Sequence, residues 1–226
     1  MGGKPRCAVE RVGDVADAAA RGVDLQKKTV AASEQNERSR AAFRARIAEI
    51  AVERIVAVDE TATTIALTRR YARAPRHERA PGRVPKNYGT ATTLLASLTH
   101  DGFGPAVTMN GALTTAAFRV YVRDFLVPSL QPGHIVLLDN LAAHKAADIT
   151  ALIRARGCDV LFVPPYSPDF NPIELAFAKF KALLRQMGPR TQPDLDAAIM
   201  TAIDCVPPAE ATRFIRHCGF RSTAAA

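Results

Sequence analysis

The chain has 226 residues, with 30 Lys and Arg against 22 Asp and Glu, a net charge of +8 and 48% apolar residues. That length suits one domain with at most a short appendage, the apolar share excludes intrinsic disorder, and the longest apolar runs are too short for a membrane span. Nothing in Met1–Asp24 has the frame of a signal peptide. The four cysteines show no CxxC or zinc-ligand spacing, so they read as reduced thiols of a cytosolic protein.

Residues 1–25 are rich in Gly, Ala and charge, and the weak periodicity predicts poor order. Ala32 to Ile50 is expected to be a charged helix with Ser33 as N-cap and Ala42, Phe43, Ile47 and Ile50 on one side. Ile55–Val58, β-branched and followed by Asp59, predicts a buried strand. Thr63–Thr68 is expected as a second strand after a tight connection, Thr92–Thr99 as a third, and Gly104–Met109 as a fourth after the Asp101-Gly102 turn. This spacing is that of an antiparallel meander.

The pattern then changes. Thr114–Val127 predicts a helix with Phe118, Tyr121, Val122 and Phe125 on one face and Pro128 stopping it. His134–Leu138 is an apolar strand followed by Asp139. Ala146–Arg156 is a helix closed by Gly157, Asp159–Val163 a strand, and Asn171–Gln186 and Pro193–Val206 two more helices. Strand alternating with helix implies parallel pairing through βαβ crossovers. The expected fold is α/β: a mixed sheet, antiparallel meander then βαβ units, with helices on both faces.

The charge is unevenly placed. Arg69–Thr90 carries seven basic residues and one acid, a net +6, whereas Ala91–Glu174 is net −2. Tyr71, His77 and Tyr88 are interleaved with the basic residues, and Pro75, Pro81 and Pro85 exclude regular helix. Such a window is either a solvated loop or a strip of contacts to a phosphate backbone. Composition does not decide between them.

Three acids stand out. Asp59 and Asp139 each follow an apolar strand, where functional groups cluster in open α/β sheets and where Asp also serves turns. Glu174 lies in Asn171-Pro172-Ile173-Glu174, a helix-start pattern in which Glu at N3 reaches back to the cap N–H. Brought together, three carboxylates repel unless a cation neutralises them. Mg²⁺ suits hard carboxylate oxygens, and a pair of such ions clamps the attacking and leaving oxygens of a phosphoryl transfer.

Three blocks carry a resemblance: Asp59-Glu60-Thr61, Asp139-Asn140 with His144, and the run from Pro164 to Glu174. They resemble the catalytic blocks of Tc/mariner-type transposases, most closely the bacterial insertion-sequence branch with a DDE catalytic domain. The 34 residues between Asp139 and Glu174 fit that group. The resemblance implies a ribonuclease-H-like fold in which Asp59, Asp139 and Glu174 hold two Mg²⁺ ions, with Mn²⁺ able to substitute. Asp59 would bridge both ions. A water would hydrolyse a phosphodiester at the element end, and the freed 3′-OH would attack target DNA. Arg69, Arg70, Arg73, Arg76, Lys86, His144 and Lys179 would contact DNA, and Asn140, Tyr166 and Asn171 would support the site.

The implied partners are element-end and target duplex DNA and a second copy of the chain, with no membrane, in a bacterial cytoplasm and at its nucleoid. The expected organisation is a poorly ordered segment 1–25, a helical linker 26–50, a catalytic domain 51–220 and a tail 221–226. Only 58 residues precede Asp59, so recognition modules are expected to be missing. The alternative reading is a truncated remnant that binds DNA without specificity.

Overall fold

The computed structural model describes residues 32–140 and 147–221. The architecture below is that of the described residues of one unit, which begins at Glu34. The expectations for segment 1–25, the start of the linker, His144 and the tail beyond Arg221 fall outside the described residues.

Helix α1 (Glu37–Ile47) starts later than Ser33. Its N-cap is Asn36, whose side chain accepts the N–H of Ser39. Phe43 and Ile47, with Ile50 beyond, are buried in the same core as the sheet, while Ala42 is exposed. The helix is therefore part of the body that the linker was expected to precede.

Strand β1 (Ile55–Thr63) runs straight through the expected turn after Asp59. The residues Glu60-Thr61-Ala62 include no Gly or Asn for a reversal, and Thr61 and Thr63 keep pairing with Leu94 and Thr92. The expected separate strand at 63–68 does not form, and the meander has three strands. They are β1, β2 (Thr92–Thr99) and β3 (Gly102–Asn110). Gly102 makes the β2–β3 reversal at φ 118°, and a Cβ there would stand 2.8 Å from the Val206 carbonyl oxygen. Only glycine fits that turn.

Helix α2 (Thr115–Tyr121) is capped by the Thr114 hydroxyl and continues through a π-helical turn (Val122–Leu126) to Val127–Ser129. The wider turn rotates the apolar face. Leu126 is buried, and Phe125, expected inside, is 45% exposed. Strand β4 (Ile135–Leu138), helix α3 (Ala147–Ala155), strand β5 (Asp159–Phe162) and helices α4 (Pro172–Met187), α5 (Gln192–Asp204) and α6 (Pro208–His217) complete the unit. Helix α6 lies beyond the expected elements. Pro207-Pro208 resembles a break, but Pro208 occupies the first turn, where its missing N–H costs nothing.

The sheet order is β3-β2-β1-β4-β5, antiparallel from β1 to β3 and parallel from β1 to β5. Alternation along the strands builds two cores. Ile55, Ala57, Ile135 and Leu137 pack with α1, α4, α5 and α6 on one face. Val56, Val58, Val136 and Leu138 pack with α2 and α3 on the other. Helices thus cover both faces. Arg221, first residue of the expected tail, bridges to Ala51 and joins the two ends of the fold. Among the described residues, no helix is long and apolar enough to cross a membrane.

Candidate active site

The parallel register aligns Ile55 with Ile135 and Ala57 with Leu137. Two residues further on, the same register sets Asp59 beside Asp139. Both fall on the face covered by α4, because they share the parity of Ala57 and Leu137. Asp59 is thus the fifth residue of a nine-residue strand rather than its end. It sits where the parallel partner β4 stops and the sheet opens.

Helix α4 supplies the third acid. Its N-cap Asn171 makes no side-chain cap bond. Asn171 instead donates its Nδ2–H to Asp59 Oδ2 at 2.9 Å, a buried contact across 112 residues of chain. The expected capping box therefore does not form, and the Glu174 N–H is met by the Asn171 carbonyl at 3.2 Å. The Glu174 side chain is left to face a cavity. That cavity, about 470 Å³, is lined by Asp59, Asp139, Asn140, Asn171 and Glu174 on one side and by Val163–Pro168 on the other.

The acids perturb one another. Burial pushes the Asp59 carboxyl up to about 8; the Glu60 N–H opposes this, and the charges of Glu174, Glu60 and Asp139 add to it. Glu174 is also raised, by burial and by Asp139, with Lys181 acting the other way. An uncompensated carboxylate in such a place takes up a proton unless a cation replaces it. No group of three His, Cys, Asp or Glu among the described residues stands ready-made around a single ion. Mg²⁺ does not need one, since it keeps several waters and uses one or two carboxylates plus substrate phosphate. The donor set is hard oxygen, and the buried Asn171 Oδ1 lacks a hydrogen-bond partner among the described residues. The residues fit a divalent cation.

The loop presenting Glu174 is held from α1. Tyr166 adopts a left-handed φ of 56°, a conformation that costs about 1–2 kcal/mol outside glycine. Gln35 donates to its carbonyl at 2.5 Å. Arg40 forks onto Asp169 at 2.9 and 2.7 Å. The Phe170 ring lies 5.1 Å from Phe43 and 4.6 Å from the Arg40 guanidinium carbon. Gln35 and Arg40 carry no motif, so sequence reading passes over them, and it places Phe43 only on the apolar side of a helix. Only the fold brings them to a loop more than 120 residues away.

Removing the Asn171 amide leaves Asp59 without its side-chain donor. Asn171→Ala is expected to weaken divalent-cation binding at the cavity by about 10- to 100-fold, the usual loss when a ligand's outer partner goes. That binding should also need a higher pH than in the wild type, because one bond favouring ionised Asp59 is gone. Mn²⁺ titrations from about pH 6 to 9 check this.

The pattern of the DDE superfamily endonuclease family matches residues 54–196. The chain belongs to the DDE superfamily endonucleases. No curated protein sequence matches it. Among solved structures it is similar to the mariner Mos1 paired-end complex with Mg, at a TM-score of 0.71 and 17% identity over 89% of this chain and 65% of that one. The Mos1 strand transfer complex gives 0.70 and 18%, covering 89% and 64%. The isolated catalytic domain of Mos1 mariner transposase gives 0.59 and 17%, covering 84% and 93%. The chain thus spans about two thirds of the longer Mos1 chains and nearly all of the isolated catalytic domain, and the fold is shared.

In this DDE endonuclease the basic window is irregular and exposed, with Arg69, Arg70, Arg73, Arg76 and Lys86 all at the surface. Its entry is fixed by Arg190, which donates to the carbonyls of Ile65 and Leu67 at 3.0 and 2.9 Å. Arg69 reaches the Gln186 carbonyl at 3.5 Å. Lys179 has a different task from the expected DNA contact. Its ammonium donates to the Cys205 carbonyl at 2.6 Å and pairs with Glu210, tying α4 to α6. Asn140 and Tyr166 line the acidic cavity.

Proposed function

We propose that this chain is the catalytic domain of a transposase, cleaving DNA with divalent metal and joining the freed end to a target. The observation that carries this reading is the convergence of Asp59, Asp139 and Glu174 from three elements on one open cavity. The family membership and the shared fold of the Mos1 transposase support it.

Asp59, Asp139 and Glu174 line that cavity together and would hold two Mg²⁺ or Mn²⁺ ions, as the family resemblance implies. Bound there, the ions supply a nucleophilic water or hydroxyl and stabilise charge on the scissile phosphate. The chain's own part is to hold oxygens in place. Asn171 and the Glu60 N–H orient the two oxygens of Asp59. The Arg40 latch fixes the loop ahead of Glu174. Asp59 gives up a proton when it takes a cation, so binding strengthens as the pH rises toward about 8.

Water adds across the phosphodiester to leave a 3′-OH and a 5′-phosphate. In the second step the 3′-OH attacks a target phosphodiester and expels another 3′-OH. No enzyme side chain is covalently modified in either step. The partners on this reading are element-end and target duplexes and a second copy of the chain.

The test is nicking of supercoiled plasmid. Nicking that needs Mg²⁺ or Mn²⁺ and stops in EDTA is the expected result; equal nicking with and without metal rejects the reading. The basic window gives a separate check. Replacing Arg69, Arg70 and Arg73 by Ala is expected to lower the slope of log affinity against log salt by about 2 to 3. An unchanged slope, read by fluorescence anisotropy, makes the window a solvated loop.

A further inference from the structure

We propose that the groove between Arg69-Arg70-Tyr71 and the second half of α4 holds an unpaired DNA strand beside the acidic cavity, its phosphates on the basic side chains and a base on Tyr71. The inference rests on the DNA reading above and adds a strand-binding site to it.

Geometry along α4 comes first. Lys181 and Arg185 lie seven and eleven residues beyond Glu174. At 3.6 residues per turn both point within about 20° of the Glu174 direction, roughly 10 and 16 Å further along the axis. The helix therefore carries one stripe that begins acidic at the cavity and becomes basic away from it. Ala178 and Ala182 share this face and keep it low. The opposite wall is the start of the basic window. Arg69, Arg70 and Tyr71 line one depression of about 480 Å³ with Lys181 and Arg185, and another of about 680 Å³ with Arg185 and Arg190.

The size and the lining suggest the ligand. Depressions of this volume match a small-molecule-sized group. A single nucleotide fits within either one. Tyr71 is 89% exposed and makes no core contact, yet it sits among arginines. An exposed aromatic ring in a basic groove is the arrangement that binds single strands, with bases stacking and cations tracking the backbone. The wall is also anchored. Arg190, just past the end of α4, fixes the carbonyls of Ile65 and Leu67, and Arg69 reaches the Gln186 carbonyl of α4, so the loop start is held beside the helix rather than only tethered by the chain.

The test uses the whole chain in EDTA, so that binding is read without cleavage. A forked duplex with an unpaired end is compared with a blunt duplex of the same sequence by fluorescence anisotropy. The wild type is expected to favour the forked end about 10-fold, a stacking-sized effect. Tyr71→Ala and Arg185→Glu are each expected to remove that preference. Both residues are off the core, and a circular dichroism melt confirms that the variants fold. Equal affinity of the wild type for both ends, or a preference retained in either variant, overturns the groove. The two readings fail separately. Metal-dependent nicking without fork preference leaves the catalytic reading and removes the groove. Fork preference without nicking does the reverse.

Discussion

Asp59→Asn will lower metal-dependent cleavage by roughly a thousandfold or more while raising the melting temperature of the metal-free protein at pH 8. The two effects have one cause. The folded state pushes the Asp59 carboxyl up to about 8 from an ordinary value of 3.8, first by burial. Between those two values the folded protein holds a proton that the unfolded chain has released. Stability therefore falls as pH rises from about 4 to about 8, and levels off above that. A neutral amide removes this penalty.

The gain is partial. The Glu60 N–H and the Asn171 amide both donate to Asp59, and an Asn side chain has only one oxygen to accept them. One bond is lost, at about 1 kcal/mol. Each tenfold change in proton affinity is about 1.4 kcal/mol, so a net gain of about 1–4 kcal/mol remains at pH 8. That raises the melting point by roughly 3–10 °C, and by much less at pH 5. Mg²⁺ should stabilise the wild type more at pH 8 than at pH 6 and should stabilise Asp59→Asn hardly at all. Scanning fluorimetry at both pH values, with EDTA and with Mg²⁺, reads all of this. A variant less stable than the wild type at pH 8 would show that Asp59 is not a strained carboxylate.

The second large effect separates catalysis from stability. Asp139→Asn is expected to lower cleavage by a comparable factor, because it removes an oxygen donor from the same cavity. Asp139 is half-buried where Asp59 is buried, and its charge raises the proton affinity of both Asp59 and Glu174. Its neutralisation should leave stability within about 1 kcal/mol of the wild type. DNA binding in EDTA should persist. Wild-type cleavage rates in Asp139→Asn would remove this residue from the site.

The comparison of the two acids shows what a sequence can carry. An apolar run followed by Asp marks both positions, and the Asn171–Glu174 helix start marks the third. Strand β2 and the starts of α4 and α5 were legible because turn residues and prolines punctuate them. The separate strand at 63–68 was not, since nothing local says whether a β-rich run folds back or continues. Pairing with β2 decided that. Similarly, the local pattern at Asn171 predicts a capping box, yet the amide serves Asp59 instead. Donation to a buried carboxylate 112 residues away sets the orientation of the amide, and its Oδ1, the atom a cap would use to accept a helix N–H, is left buried without a partner among the described residues.

Lys179 and Lys181 make the same point within two positions. Both are charged residues on one helix, and local sequence does not separate them. Helix α6 lies against one side of α4 and engages Lys179, while Lys181 stays on the Glu174 face. The sequence by itself determined the α/β class and the basic window, because these rest on periodicity and composition, and it marked the three acids as candidates that the family resemblance joined into one site. Only the tertiary structure decided that Asp59 lies mid-strand beside Asp139, that Asn171 and α1 hold the site, and which lysine faces the groove. Those outcomes depend on strand register and helix packing, contacts between residues far apart in the chain, where local pattern carries no information.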